Sequence, residues 1–301
     1  VRIRSGGGSK LVKLATVLVV ALAGCAEPEK QTTVPVDPEA VLMENLAGLD
    51  RDDPYRDPDP DERESARQAI RLLLDDPGNP SRPDEILARL GFTAYHDVDP
   101  ATGRPFSLFV MNSTDEPAWG ALLVDRSAGV RTVIEVPHPT ADINTEKLGI
   151  AVFRQLPGSV LLVAGAHRTA ADGAADVAHN ERSMFHQFSV EFARKGLLQI
   201  QLHGFADRSL PDAQAVVSSG PATVSRAARE VGDGLADAGL TTCLAWLTRC
   251  GRLEGTRNEQ GRVAAEQDAP FIHLELGWSV RGDPASLDRV AKALGDRLAS
   301  R

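Results

Sequence analysis

Apolar and polar positions fall into a regular alternation from residue 105 onward. Short apolar runs at Phe106–Met111, Gly120–Val124, Thr132–Val136, Val160–Ala164, Leu197–Leu202, Ala213–Val217, Thr242–Leu247 and Phe271–Leu276 are bounded by turn residues and read as strands. Stretches with helical spacing lie between or after them at Glu146–Gln155, Ala178–Lys195, Pro221–Ala238 and Pro284–Ser300. Two shorter helical patterns precede them, Ala66–Leu74 and Pro83–Leu90, the latter stopped by Gly91. Strands alternating with helices predict an α/β domain. Its mostly parallel or mixed central sheet should be flanked by helices in three layers. No internal repeat is present.

Ahead of this domain the pattern changes twice. Arg2, Arg4, Lys10 and Lys13 make a basic start, Leu14–Leu22 is a short apolar run, and Leu22-Ala23-Gly24-Cys25 follows. This is similar to a bacterial lipoprotein signal over residues 1–24, with Cys25 as the lipidated first residue of the exported chain. The apolar run is short for a spanning helix. Residues 25–60 are rich in Pro, Asp and Glu and predict a tether, with a short helical pattern at Pro38–Gly48. The expected organisation is therefore signal, tether, and an α/β domain over 61–301 whose helical segment 61–92 packs onto it. The expected location is outside the cytoplasm, on a membrane, through Cys25.

Charge and cysteines narrow the function. The chain has 301 residues, 42% of them hydrophobic, with a formal net charge of −9. A nucleic-acid binder needs a basic footprint, so nucleic acid is excluded as the main partner. With Cys25 acylated, Cys243 and Cys250 remain as a pair, and export permits a disulfide between them. No sequence feature identifies a protein partner.

In open α/β sheets sites form beyond the carboxyl ends of the strands. Read in order, those ends lead to His138, to His167 and Arg168, to His203, and to His273 and Glu275. Imidazole and carboxylate are zinc donors, and a catalytic zinc takes three protein ligands. The expected set is His138, Glu146 and His203, with His167 the competitor for the third place. Asp142 is expected to orient His138 from behind. Glu275, polar within an apolar strand, is the expected general base, or else a partner of Arg281. Arg281, Asn180 and Arg168 are the candidate substrate contacts. His179 and His186, seven residues apart, would share a face of one helix.

A His and a Glu after an early strand, a His ending a middle strand and a Glu on a late one resemble zinc-dependent N-acetylmuramoyl-L-alanine amidases. The related poly-γ-glutamate hydrolases and N-formylglutamate amidohydrolases are similar too. The segment Arg168…Ala178-His179-Asn180 resembles the Arg…Ala-Asn stretch of the amidases, and the likeness spans Val133 to Arg281. It implies a phosphorylase/hydrolase-type α/β fold, one Zn²⁺, and cleavage of an amide bond, with a cell-envelope peptide or peptidoglycan as substrate. The chain departs from the pattern in a tight His138-to-Glu146 spacing. His138-Pro139-Thr140 and Gln201-Leu202-His203-Gly204 stand where HGG and SxHxN would be expected. A non-catalytic envelope lipoprotein, binding a ligand or metal on a hydrolase-like fold, is the competing reading. No GxSxG elbow supports a serine hydrolase.

Overall fold

The computed structural model describes residues 35–75, 81–112 and 115–299. Residues 1–34, which include the expected signal, Cys25 and the start of the expected tether, lie outside the described residues. No helix among the described residues is long and apolar enough to cross a membrane.

Among the described residues nine strands form one mixed sheet: β1 (Thr93–Val98), β2 (Pro105–Val110), β3 (Ala121–Asp125), β4 (Thr132–Val136), β5 (Ser159–Val163), β6 (Leu198–Phe205), β7 (Ala215–Ser218), β8 (Thr242–Leu244) and β9 (Phe271–Gly277). Their order is β1-β2-β3-β5-β4-β6-β9-β7-β8. The centre, β5-β4-β6-β9, is parallel, whereas β1, β2 and β3 form an antiparallel flank and β7 runs antiparallel to β9. The fold is thus the expected three-layer α/β arrangement, with a mixed sheet.

Helices α1 (Pro38–Leu46), α4 (Thr145–Gln155), α6 (Arg226–Asp237) and α9 (Pro284–Leu298) carry buried side chains in one core. That core includes Ile134, Ile200, Ile272 and Leu274 from one sheet face. On the other face, α2 (Pro60–Asp75), α3 (Ser81–Arg89) and α5 (Met184–Arg194) form a second core with Phe109, Leu122, Val133, Val160 and Leu162. Residues of a strand alternate between faces, so each buried strand feeds both cores. Helix α7 (Glu259–Glu266) adds a small cluster with Phe271, and α8 (Trp278–Arg281) bridges β9 to α9.

Four elements differ from the sequence expectation. The tether reading is corrected from Pro35 on. Leu42 and Leu46 are buried in the first core and Tyr55 in the second. Some of the acids that made this segment look solvated are paired with arginines. Arg154 binds Asp37, Glu39 and Asp99, and Arg56 pairs with Glu62. The long helix expected from Ala178 begins only at Met184, because Ser183 caps it by accepting from the His186 amide at 3.1 Å. His179 lies in a separate one-turn 3₁₀ segment, so it shares no helix face with His186. Strand β1 and helix α7 were not expected: β1 is an edge strand that buries no residue fully, and α7 is short and polar.

Candidate metal centre

Strand β4 ends at Val136, and Pro137 and Pro139 hold His138 immediately beyond it. Asp142 follows within the same tight loop, its amide donating to the His138 carbonyl at 2.9 Å. Strand β6 brings His203, and β9 brings His273 and Glu275. Register places His203 beside Glu275 and Gln201 beside His273 on neighbouring parallel strands. Parallel pairing therefore converges side chains from three strands at one end of the sheet.

Asp142 Oδ2 stands 3.1 Å from His138 Nδ1 and 3.2 Å from His203 Nδ1. All three residues are buried. They form one group whose potential ligand atoms lie within 4.8 Å of one another, and His203, His273 and Glu275 form a second. The His138 and His203 rings are 5.0 Å apart, and His203 stacks on His273 at 4.4 Å.

The proton positions around His203 follow from its neighbours. The Gly261 amide donates to Asn258 Oδ1 at 3.0 Å, which turns Asn258 Nδ2 toward Gln201 Oε1, to which it donates. Gln201 Nε2 in turn donates to Glu135 Oε2 at 2.9 Å and Gln260 Oε1 at 3.2 Å. The Gln201 carbonyl oxygen must then accept from His203 Nε2, 2.7 Å away. Burial pushes the His203 imidazole down to a pKa of about 4, so at neutral pH it carries one proton only. That proton sits on Nε2. Nδ1 presents a lone pair toward the Asp142 carboxylate, which burial would raise but which the hydrogen-bonded His138 imidazole holds below the usual range. Two acceptor atoms facing each other without a proton make a place for a cation. Ligands about 2.1 Å from a tetrahedral zinc stand roughly 3.3 Å apart, close to the separations found here.

His138 has the matching arrangement. Its Nε2 contacts Asp176 Oδ1 at 2.8 Å, and Nδ1, which also lies 3.3 Å from Arg168 Nη1, faces the site. Burial works against its charged form, but Asp142 and Asp176 outweigh that and raise its pKa. A metal at Nδ1 would compete with protonation there. Asp176 also takes Arg168 Nη2 at 2.6 Å. Two further groups lack partners: Glu275 Oε2 and His273 Nδ1 are buried without a hydrogen bond. Burial, reinforced by the charge of Asp142, pushes the Glu275 carboxyl up to about 8. Burial, then His203, pushes His273 well below the ordinary histidine range.

Several expected roles move. The carboxylate between the two imidazoles is Asp142, not Glu146. Glu146 opens α4, accepts from the Asn144 amide at 3.2 Å, and belongs to neither group. His138 and His203 come together, while His167 bonds Thr169 and stays outside both groups. Arg281 is a structural clamp: Nε donates to the Leu276 carbonyl, Nη1 to that of Ile143 and Nη2 to that of Phe205. Only a glycine at 204 leaves room for it, since a Cβ there would lie 2.2 Å from its Cζ. Arg281 therefore spends its guanidinium on backbone carbonyls, and no ion pair with Glu275 is present among the described residues. Asn180 is spent on structural contacts, donating to Asp57 of the N-terminal segment and to the Ala174 carbonyl. Arg168 does line the cleft above the site, with its charge partly committed to Asp176. The sequence reading missed Asp176, Gln201, Glu135 and Asn258. Polar residues inside otherwise apolar strands were the available signal for Glu135 and Gln201. Cys243 and Cys250 form a disulfide, with Cα atoms 6.1 Å apart.

The sequence matches no protein-family model and no curated protein. Solved structures of similar fold include a bacteriophage poly-gamma-glutamate hydrolase (15% identity, 56% of this chain and 84% of that one, TM-score 0.40). The zinc-free apo form of YndL is similar at 15% identity over 61% of this chain and 91% of that one, TM-score 0.44. The gene product Atu2144 of Agrobacterium tumefaciens is similar at 13% identity over 71% and 99%, TM-score 0.41. At these values the likeness is one of fold.

Proposed function

We propose that the protein is a zinc-dependent hydrolase of amide bonds, with the metal held by His138, Asp142 and His203. The observation that carries this reading is the lone pair of His203 Nδ1 facing the Asp142 carboxylate at 3.2 Å, with the tautomer set by Gln201. The donor set, two imidazoles and one carboxylate, fits zinc and leaves one position open for chemistry. Zinc bound there supplies a Lewis acid that polarises a carbonyl and lowers the pKa of water toward neutrality.

The chain's own residues supply the rest. Glu275 has an unpaired oxygen, Oε2, on the cleft floor. A nearby cation offsets the cost of its ionisation, so it can take a proton from water and return it to the departing nitrogen. Asp176 holds the proton on His138 Nε2, and Gln201 accepts the one on His203 Nε2, which fixes both rings. Arg168 places a positive charge at the cleft wall, where it stabilises negative charge growing on the amide oxygen. The signal-like residues 1–24 and Cys25 extend the proposal to an exported, membrane-anchored enzyme acting on an amide of the cell envelope.

The test is metal content of the purified chain after zinc loading, with turnover of envelope peptides scored beside it. About one zinc per chain, lost in His138→Ala and His203→Ala and kept in Glu146→Gln, is the expected result. No bound zinc would overturn the metal reading. Zinc bound normally with turnover indifferent to Glu275→Gln would favour a non-catalytic binding lipoprotein.

A further inference from the structure

The segment from Cys250 to Asn258 supplies no metal ligand, yet it is fastened at several points beside the site. Cys250 is tied to Cys243 beside β8. The Cys250 amide donates to Glu254 Oε1, and Ser218 Oγ donates to the Glu254 carbonyl, both at 2.7 Å. Gly255, at φ +63°, lies so close to His273 that a Cβ would fall 2.4 Å from the ring. The segment then delivers Asn258, buried, as the N-cap of α7, where its Oδ1 accepts from the Gly261 amide at 3.0 Å. Capping needs only that oxygen, and an aspartate would cap as well. What an aspartate would lack is the donor Nδ2, which is spent on Gln201 Oε1.

Gln201 is the pivot between this segment and the metal site. A half-turn of its amide group exchanges oxygen and nitrogen without changing the shape of the side chain. As observed, Oε1 faces Asn258 Nδ2 and His203 Nε2, while Nε2 donates to Glu135 Oε2 and Gln260 Oε1. Turned over, Gln201 would point an N–H at His203 Nε2. That nitrogen would then have to accept, and the single ring proton would move to Nδ1, which faces Asp142. Glu135 alone does not prevent the turn, because a protonated carboxyl could donate to the reversed amide as well as a carboxylate accepts from the observed one. Gln260 Oε1, at 3.2 Å, sits at the long end of the hydrogen-bond range. The strongest fixed constraint on Gln201 is therefore the donor arm of Asn258.

We infer that Asn258 is a positioning residue of the metal centre. Its Nδ2 keeps the Gln201 carbonyl turned to His203 Nε2, and so keeps the Nδ1 lone pair open toward Asp142. Replacing one NH₂ group by oxygen, outside the ligand set, would close the site. The metal's role rests on the hydrolase reading, whereas the place of the proton on His203 does not depend on it.

Asn258→Asp tests this in the full chain, since it is isosteric and keeps the cap on α7, with circular dichroism verifying the fold. The first readout is the His203 tautomer in the metal-free protein at neutral pH, by two-bond ¹H–¹⁵N NMR. His203→Gln identifies its signals among the seven histidines. The second is zinc affinity, by competition with a chromophoric chelator. The parent should carry the proton on Nε2, and Asn258→Asp should carry it on Nδ1 and bind zinc roughly 10–100-fold more weakly. A chain bearing Glu135→Gln with Gln201→Glu exchanges acid and amide, and offers His203 an oxygen in either orientation. It should keep the proton on Nε2. A parent proton on Nδ1, or an unmoved proton in Asn258→Asp, with or without weaker zinc binding, would overturn the inference. So would a proton on Nδ1 in the exchanged chain. If the proton moves as expected while neither parent nor variant binds zinc, the hydrolase reading fails and the role of Asn258 in setting His203 stands.

Discussion

Strands β4, β6 and β9 show two unlike faces of one buried sheet. One face presents Ile134, Val136, Ile200, Leu202, Ile272, Leu274 and Leu276, all in a single apolar core. The other presents Glu135, Gln199, Gln201, His203, His273 and Glu275, none of them more than 9% exposed. Both faces are removed from water, yet only the first repays that through the hydrophobic effect, at about 25 cal/mol per Å² of apolar area. On the second, each polar atom left without a partner costs roughly 1–3 kcal/mol. Strands that alternate in this way hold a reactive surface on a stable backing. The apolar face sets where the backbone lies, and the polar face spends stability to hold imidazoles and carboxylates away from solvent.

Removing a ligand breaks the comparison most severely. His203→Ala should abolish zinc binding and lower turnover by about 10³-fold or more, with the fold intact by circular dichroism. Retained stoichiometric zinc would mean that His203 is not a ligand. Glu275→Gln should lower kcat by roughly 10²–10⁴-fold while zinc remains bound. If zinc is lost instead, the metal lies in the second group, with His203, His273 and Glu275, and Glu275 is a ligand. On the apolar face the effects should change kind. Leu274→Ala, in a position fully buried, should cost about 4 kcal/mol in urea unfolding yet leave zinc stoichiometry unchanged. A loss of metal affinity larger than the loss of stability would show that the two faces are not separable.

The apolar face was legible in the sequence because period-two hydrophobic runs report burial directly. Thr132–Val136 was delimited without error, and β9 to within a residue. The polar face was half legible. His138, His203 and Glu275 stood out as ligand-competent residues at strand ends, and the sheet brings them together. Glu146 was preferred over Asp142 because sequence spacing cannot show which carboxylate a tight loop turns inward. The loop closed by the Asp142 amide on the His138 carbonyl points Asp142 into the site and sends Glu146 to the start of α4. Asp176 was invisible for a related reason: it reaches His138 across 38 residues, from a 3₁₀ turn with no apolar period. The acidic composition before residue 60 misled because composition reports solvation only when no cation answers it, and Arg154 answers Asp37 and Glu39 while Arg182 answers Asp57.

The smallest effect concerns the pH dependence of the polar face. Glu135 is wholly buried, accepting from Ser189 Oγ at 2.6 Å and from Gln201 Nε2 at 2.9 Å. Burial lifts its carboxyl from the ordinary 4.5 to about 7, against those two hydrogen bonds. A group whose pKa is higher folded than unfolded binds more protons in the folded state between the two values. Its contribution to stability is therefore complete below about pH 4.5 and is lost as pH rises to about 7. The loss should be at most about 3 kcal/mol. Glu135→Gln keeps the shape and can accept from Gln201 while donating to Ser189, whose hydroxyl also donates to the Phe185 carbonyl. Urea midpoints of the metal-free parent and variant, taken at pH 5 and pH 8, isolate this group because the other titrations are common to both. The variant should gain on the parent as pH rises across that window. If the difference between them is the same at both values, the carboxyl is ionised throughout, and the buried face must hold a full negative charge beneath His203.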